Sequence, residues 1–356
     1  MRCLFCAALV ALACAPFSAW AAEADPAVVG RAIDGFVRPA YAAFHETTGA
    51  LDKAAKTLCA APDAAGLDAA RTAFDATVAA WSRVEIVRLG PVTEDNRLER
   101  ILFWPDRKSI GLKQVQAALA AKDETATTVD SLTGKSVAVQ GLGALEFVLF
   151  GTGSEDLAVG DAHRCAFGAA IAGNLDAIAG SLEQGWNGPD GFSARWTQPA
   201  ADNPLYRNDT EALNELAAIF VNGLELIRDQ RLNGFLGREM DDDKPKQALF
   251  WRSRNTVATL AGNVAGLKAL FGASGYGRSP TADAAAIVTA IDAEFDKALA
   301  AARAADAPVA DLLADPVRRA SLIDFGKATS RLSDLVGKQL SAKLGLSAGF
   351  SSLDGD

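Results

Sequence analysis

The stretch Ser136 to Gly151, SVAVQGLGALEFVLFG, decides how the rest of the chain is read. Wound as a helix it is apolar on every side, which marks a buried element and not an amphipathic surface one. One carboxylate, Glu146, interrupts it. At helical spacing its neighbours are Val139, Leu142, Gly143, Leu149 and Phe150, so nothing on its own helix can pair with the charge. An ionised carboxylate in apolar surroundings must find an arginine, hydrogen-bond donors or a metal from elsewhere, or keep its proton. Gly141 and Gly143 each cost a helix interior about 1 kcal/mol relative to Ala, so close backbone approach or space for a bound group should justify them. The structural alternative is a tight helix crossing with Glu146 held by an arginine that has no other duty.

At 356 residues the chain has room for two domains or one large helical one. Half the residues are hydrophobic and alanine is abundant, which favours an all-α protein. The N-terminus carries Arg2, an apolar run from Leu4 to Pro16, and Ala19-Trp20-Ala21, the pattern of a secretory signal peptide over residues 1–21. Cleavage there predicts a periplasmic protein. A lipid anchor on Cys14 is the alternative, but Ala11 stands where a leucine is expected. No later apolar run is read as long enough to span a bilayer. Of five cysteines, three leave with the signal, and Cys59 and Cys165 remain as an even pair in an oxidising compartment, where a disulfide is expected. Without Arg2 the charge is −10, from 34 basic against 44 acidic residues, which argues against nucleic acid and anionic membrane surfaces as partners.

Helices are expected from Asp25 to about Cys59 with a kink at Pro39, and from Leu67 to Arg88. Thr93 to Asp106 mixes aromatics with charges and has no clean period, so it reads as an irregular, site-forming connection. A short helix over 109–121, the central stretch, and a helix over 161–182 complete an N-terminal helical domain, 22–190. Residues 191–207, rich in Gly, Pro, Asn and Asp, form a linker. Asn208 with Glu211 is a capping box opening the C-terminal helical bundle, 208–356, with helices to about Leu232, over 248–271, 281–305 and 316–344.

Few catalytic signatures survive inspection. There are two histidines. His45-Glu46-Thr47-Thr48-Gly49 has Gly49 where a zinc-protease helix needs its second histidine, and no serine, cysteine or threonine has an identifiable base partner. Gly134-Lys135-Ser136 lacks the first phosphate-loop glycine, and the acidic tail Asp354-Gly355-Asp356 is too short for a calcium loop. What remains is a run of basic and aromatic residues before the buried carboxylate: Trp81, Arg83, Arg88, Arg97, Arg100, Trp104 and Asp106. An arginine from this set reaching Glu146 would make a bidentate pair.

Trp81, then Arg88-Leu-Gly-Pro91, Asn96-Arg97, Phe103-Trp104-Pro105-Asp106, Gly141-Leu-Gly-Ala-Leu-Glu146-Phe with Phe150-Gly151, and the closing Gly349-Phe350 to Asp356 together resemble the imelysin-like family of bacterial envelope proteins. The resemblance runs over essentially the whole mature chain. It implies two packed helical-bundle domains with a site near their interface, export to the periplasm or outer membrane, and an association with iron uptake or its regulation in a family once classed as metallopeptidases. The family hallmark is Gly-x-His-x-x-Glu. Gly141 and Glu146 match it, and Gly143 occupies the histidine position. Histidine and glutamate three residues apart share a helix face and can hold one metal, so this chain has half the pair.

The expectation is therefore a non-enzymatic binding or accessory protein connected to iron acquisition, taking iron or an iron chelate, with envelope iron-uptake proteins as partners. Its pocket is expected to include Glu146, Gly141, Gly143, Arg88, Arg97, Trp81, Trp104 and Asp106, with Glu146 the single metal-ligand candidate and no catalytic residue. A metallopeptidase, or an envelope interaction module without a small ligand, are the alternatives.

Overall fold

The computed structural model describes residues 25–106, 108–278 and 282–346. The expected signal peptide, Cys14 and the acidic tail lie outside them. Nine main helices carry the described fold, and no strand occurs among the described residues. Helix α1 spans 27–60 and contains a wide π turn at Ile33–Val37, ending just before Pro39. Proline has no N–H to return to the preceding turn, so the expected kink is taken up as that widened turn. Helix α2, Ala64–Val84, starts on Asp63, whose carboxylate accepts from the Gly66 N–H at 2.6 Å. Then follow α3, Ile110–Ala121; α4, Leu142–Phe150; and α5, Ala162–Asn187.

The second half holds α6 over 209–232, α7, Thr256–Ser274, α8, Ala282–Ala305, and α9 over 316–343. Asn208 accepts from the Glu211 N–H at 3.0 Å, while the Glu211 carboxylate reaches back to the Arg207 N–H at 2.7 Å, so the capping box closes one residue earlier than the usual form. The segment read as a linker contains a short helix, Phe192–Thr197, and its Trp196 is fully buried among Trp186, Phe192 and Tyr206.

Helix α1 packs between α2 and α5, α4 lies on α5, and α8 pairs with α9. Helix α7 joins the halves by packing on both α2 and α8. Its approach to α2 is set by two glycines four residues apart. A Cβ at Gly262 would collide with Ser82 Oγ, and one at Gly266 with the Arg83 carbonyl. Between them Asn263 donates to the Ser82 carbonyl at 2.6 Å and to Glu85 Oε1 at 2.7 Å. The other Glu85 oxygen takes Arg231 Nη2 from α6 at 2.7 Å, an ion pair buried at both ends. Across the first half, the Cys59–Cys165 disulfide forms as expected, linking the end of α1 to the first turn of α5.

Three expectations change. The central stretch is not one helix: Val137–Val139 is a 3₁₀ turn, and α4 starts at Leu142 after an extended Gly141. Gly141 is required because a side chain there would strike the Arg100 and Ile101 carbonyls. The helix expected from 248 begins at Thr256, because residues 248–255 form a turn with Phe250 and Arg254 in the left-handed region, φ 57° and 64°. Finally, 162–197 and 256–274 are each apolar and long enough to cross a bilayer by length and composition, yet both are more than half buried in the bundle. They are apolar all round because they run through the core.

Gly266→Ala forces a methyl group against a helix backbone with no side chain to yield, so it lowers stability by about 1–3 kcal/mol. Urea unfolding checks this; an unchanged midpoint would show that the crossing has slack.

Candidate functional site

Glu146 is 4 % exposed and stands on α4, whose Leu145 and Val148 lie against Gly168 of α5. Its partners come from the far half of the chain. Phe250 and Arg254, both left-handed, bracket Trp251-Arg252-Ser253 and turn two successive N–H groups the same way. Arg252 N and Ser253 N donate to Glu146 Oε1 at 3.0 and 2.9 Å, and Ser253 Oγ donates to the same oxygen at 2.9 Å. The turn is itself pinned: Asn255 N–H returns to the Phe250 carbonyl at 3.1 Å, Thr256 Oγ1 donates to the Leu249 carbonyl at 2.6 Å, and Asn255 Nδ2 reaches Asp75 at 2.6 Å.

The second oxygen, Oε2, accepts no hydrogen bond among the described residues and lies 3.8 Å from Arg252 Nη1. The guanidinium is held by the faces of Trp251 and Phe147, 4.4 and 5.4 Å from their centroids. Burial pushes the Glu146 carboxyl above its ordinary value, against the Ser253 amide, Arg252 and the other donors, which pull it down. Burial likewise lowers Arg252, against the attraction of Glu146.

Beside Glu146 opens a cavity of about 320 Å³, walled by Trp104 and Asp106 on one side, Gly143 and Phe147 on α4, Asp229 from α6, and Arg252. Gly143 faces open space, with nothing within 4 Å of a Cβ placed there. Gly141 lies behind, against the 100–101 backbone. Asp106 lines the cavity, but both its carboxylate oxygens are used at the start of α3, by Ile110 N at 2.7 Å and Leu112 N at 3.1 Å.

The remaining expected lining residues are elsewhere. Trp81 is in the core against Phe44. Arg97 is spent on the Pro91 carbonyl, Glu94 and Asp95. Arg88 is exposed, near Arg231. Arg100, read only as a candidate partner for Glu146, binds Gln140 and Asn174 instead. The arginine that comes to Glu146 is Arg252. The signal for it was the Trp-Arg-Ser-Arg-Asn run at 251–255, whose polar residues interrupt an otherwise apolar segment.

The sequence profile of imelysin, peptidase class M75, matches residues 37–335. The chain belongs to the imelysin family. It is 24% identical over 333 residues to iron-regulated protein A of Synechococcus elongatus, covering 86% of this chain and 83% of that one. Its fold is that of an imelysin-like protein from Psychrobacter arcticum 273-4, TM-score 0.72 at 19% identity, covering 93% and 99% of the two chains. An iron-regulated protein A precursor from Parabacteroides distasonis ATCC 8503 gives TM-score 0.71 at 15% identity over 90% and 94%.

A bare metal ion does not fit the donors this imelysin-family chain offers. Gly143 supplies none, Asp106 is committed to α3, and Asp229 is paired through both oxygens with Arg228. Glu146 brings one oxygen with an arginine beside it, and no group of three or more His, Cys, Asp or Glu among the described residues is placed to hold a metal.

Gly143→His has space and completes a histidine–glutamate pair on one helix face. By calorimetry the variant binds Zn²⁺ roughly tenfold or more tightly than the parent, and G143H/E146Q loses the gain. A second outcome follows from the raised Glu146 value. The folded state holds that proton more tightly than the unfolded chain, so the contribution is present below about pH 4.5, the ordinary value, and is lost as pH rises through the raised one. Glu146→Gln therefore gains stability relative to the parent as pH is raised from 4 to 8. Urea midpoints at the two pH values measure this, and a constant difference would refute it.

Proposed function

We propose that this chain is a non-enzymatic binding or accessory protein of the bacterial periplasm, connected to iron acquisition, whose ligand enters the cavity beside Glu146. The observation that carries the reading is the carboxylate itself. One oxygen is fixed by three donors, the other accepts no hydrogen bond among the described residues, and the side chain lines a cavity of about 320 Å³, within the usual range for small-ligand sites. Trp104 and Phe147 give the cavity apolar walls, and Arg252 and Lys246 add positive charge. Those walls suit a chelate or small organic molecule better than a naked ion.

The iron connection draws on the names of two relatives, both called iron-regulated protein A. Export draws on the Arg2 to Ala21 pattern and on the precursor form named for the Parabacteroides protein. The absence of enzymatic activity is argued from Gly143, which leaves Glu146 without a partner for activating water at a metal.

Calorimetric titration with Fe(II), Fe(III) and ferric citrate tests the reading. Binding of the chelate, weakened by Glu146→Gln, is expected. No heat with any of the three removes the iron ligand, and metal-dependent peptide cleavage abolished by Glu146→Gln would make the protein a peptidase instead.

A further inference from the structure

Behind the Trp251–Arg252 wall lies a second cavity, of about 380 Å³. Its lining includes Lys246, Arg252 and Arg254 and not one carboxylate, in a chain whose net charge is −9. Lys246 and Arg254 have no hydrogen-bond or ion-pair partner among the described residues, and the nearest anion to Arg252 is Glu146 on the opposite side, 3.8 Å away. The rest of the wall is apolar, with Phe150, Trp251, Pro308 and Val309 prominent. A concave surface lined by one sign of charge over low-dielectric walls concentrates ions of the other sign.

The placement of the cations is built into the fold. Arg254 holds a left-handed backbone, φ 64°, a conformation that a non-glycine residue seldom adopts, in the same turn that feeds Arg252 to Glu146. Lys246, Trp251 and Arg252 line both cavities, so the two share a wall and not merely a neighbourhood.

We propose that this second cavity is an anion subsite, taking a carboxylate or phosphate group on Lys246, Arg252 and Arg254. Guanidinium groups match the two-oxygen edge of either anion, and the apolar walls accept the carbon skeleton that carries it. A ligand long enough to pass the Trp251–Arg252 wall would place its anionic end here and a donor group at Glu146 Oε2. The inference rests on the cations of this cavity and stands apart from the iron reading.

Metal-free citrate and pyrophosphate, titrated calorimetrically at low salt, are the probes. The first reports a carboxylate preference and the second a phosphate preference; binding of either supports the subsite. Lys246→Ala/Arg254→Asn, two exposed positions with Asn tolerating the left-handed backbone, weakens that binding by roughly tenfold or more. Circular dichroism of the variant confirms its fold. Failure of both anions to bind, or binding unchanged in the double variant, overturns the proposal. Loss of ferric citrate binding with metal-free anion binding intact would count against the iron reading alone.

Discussion

The structure depends on how one buried carboxylate is satisfied. Glu146 sits on a short, otherwise apolar helix, and its side chain is almost wholly withdrawn from solvent. Three donors from a single turn, 106 and 107 residues further along, converge on one of its oxygens. That arrangement joins the halves of the molecule at the cavity, and it fixes Arg252 beside the second oxygen. Nothing on α4 could have done this. The turn has to approach from outside, so the site exists only when both halves are folded against each other.

A second contact sets how closely they approach. Gly262 and Gly266 let α7 rest on the backbone of α2, and Asn263, Glu85 and Arg231 add directional bonds at the crossing. Apolar packing tolerates small slides, whereas a buried ion pair with an amide across it admits one register. The wall supplied by 246–252 is therefore held to the wall supplied by α4 by both shape and polarity.

Much of this was legible in residues. The all-α class, most helix positions, the family, the Cys59–Cys165 bond and the demand made by Glu146 follow from periodicity, composition and motif order. The partner of Glu146 did not follow, because arginines close in sequence, Arg88, Arg97 and Arg100, looked nearer than they are. Arg88 is exposed, Arg97 is used within its own loop and Arg100 is taken by Gln140 and Asn174, while the one that matters is separated by a hundred residues that only tertiary packing can fold back. Gly141 and Gly143 look alike in sequence and do opposite things: the first avoids a collision with the 100–101 carbonyls, the second leaves a cavity wall bare. Periodicity could not separate them, since neither has a side chain to count. The turn at 250–254 was hidden for a related reason. Its left-handed residues are Phe and Arg, not the Gly or Asn that usually announce such a backbone.

The disulfide has a topological consequence. Joining Cys59 to Cys165 closes a covalent ring that encloses α2, the wall at 103–106 and all of α4, Glu146 included, while Arg252 and Ser253 remain outside it. A single peptide-bond cut anywhere inside the ring, in an exposed loop such as Glu94–Asp95, leaves one covalently continuous molecule. While the disulfide stays oxidised, a nick within the ring thus leaves Glu146 covalently joined to both ends of the chain, whereas a cut after Asn187 breaks its covalent link to the half that supplies its donors.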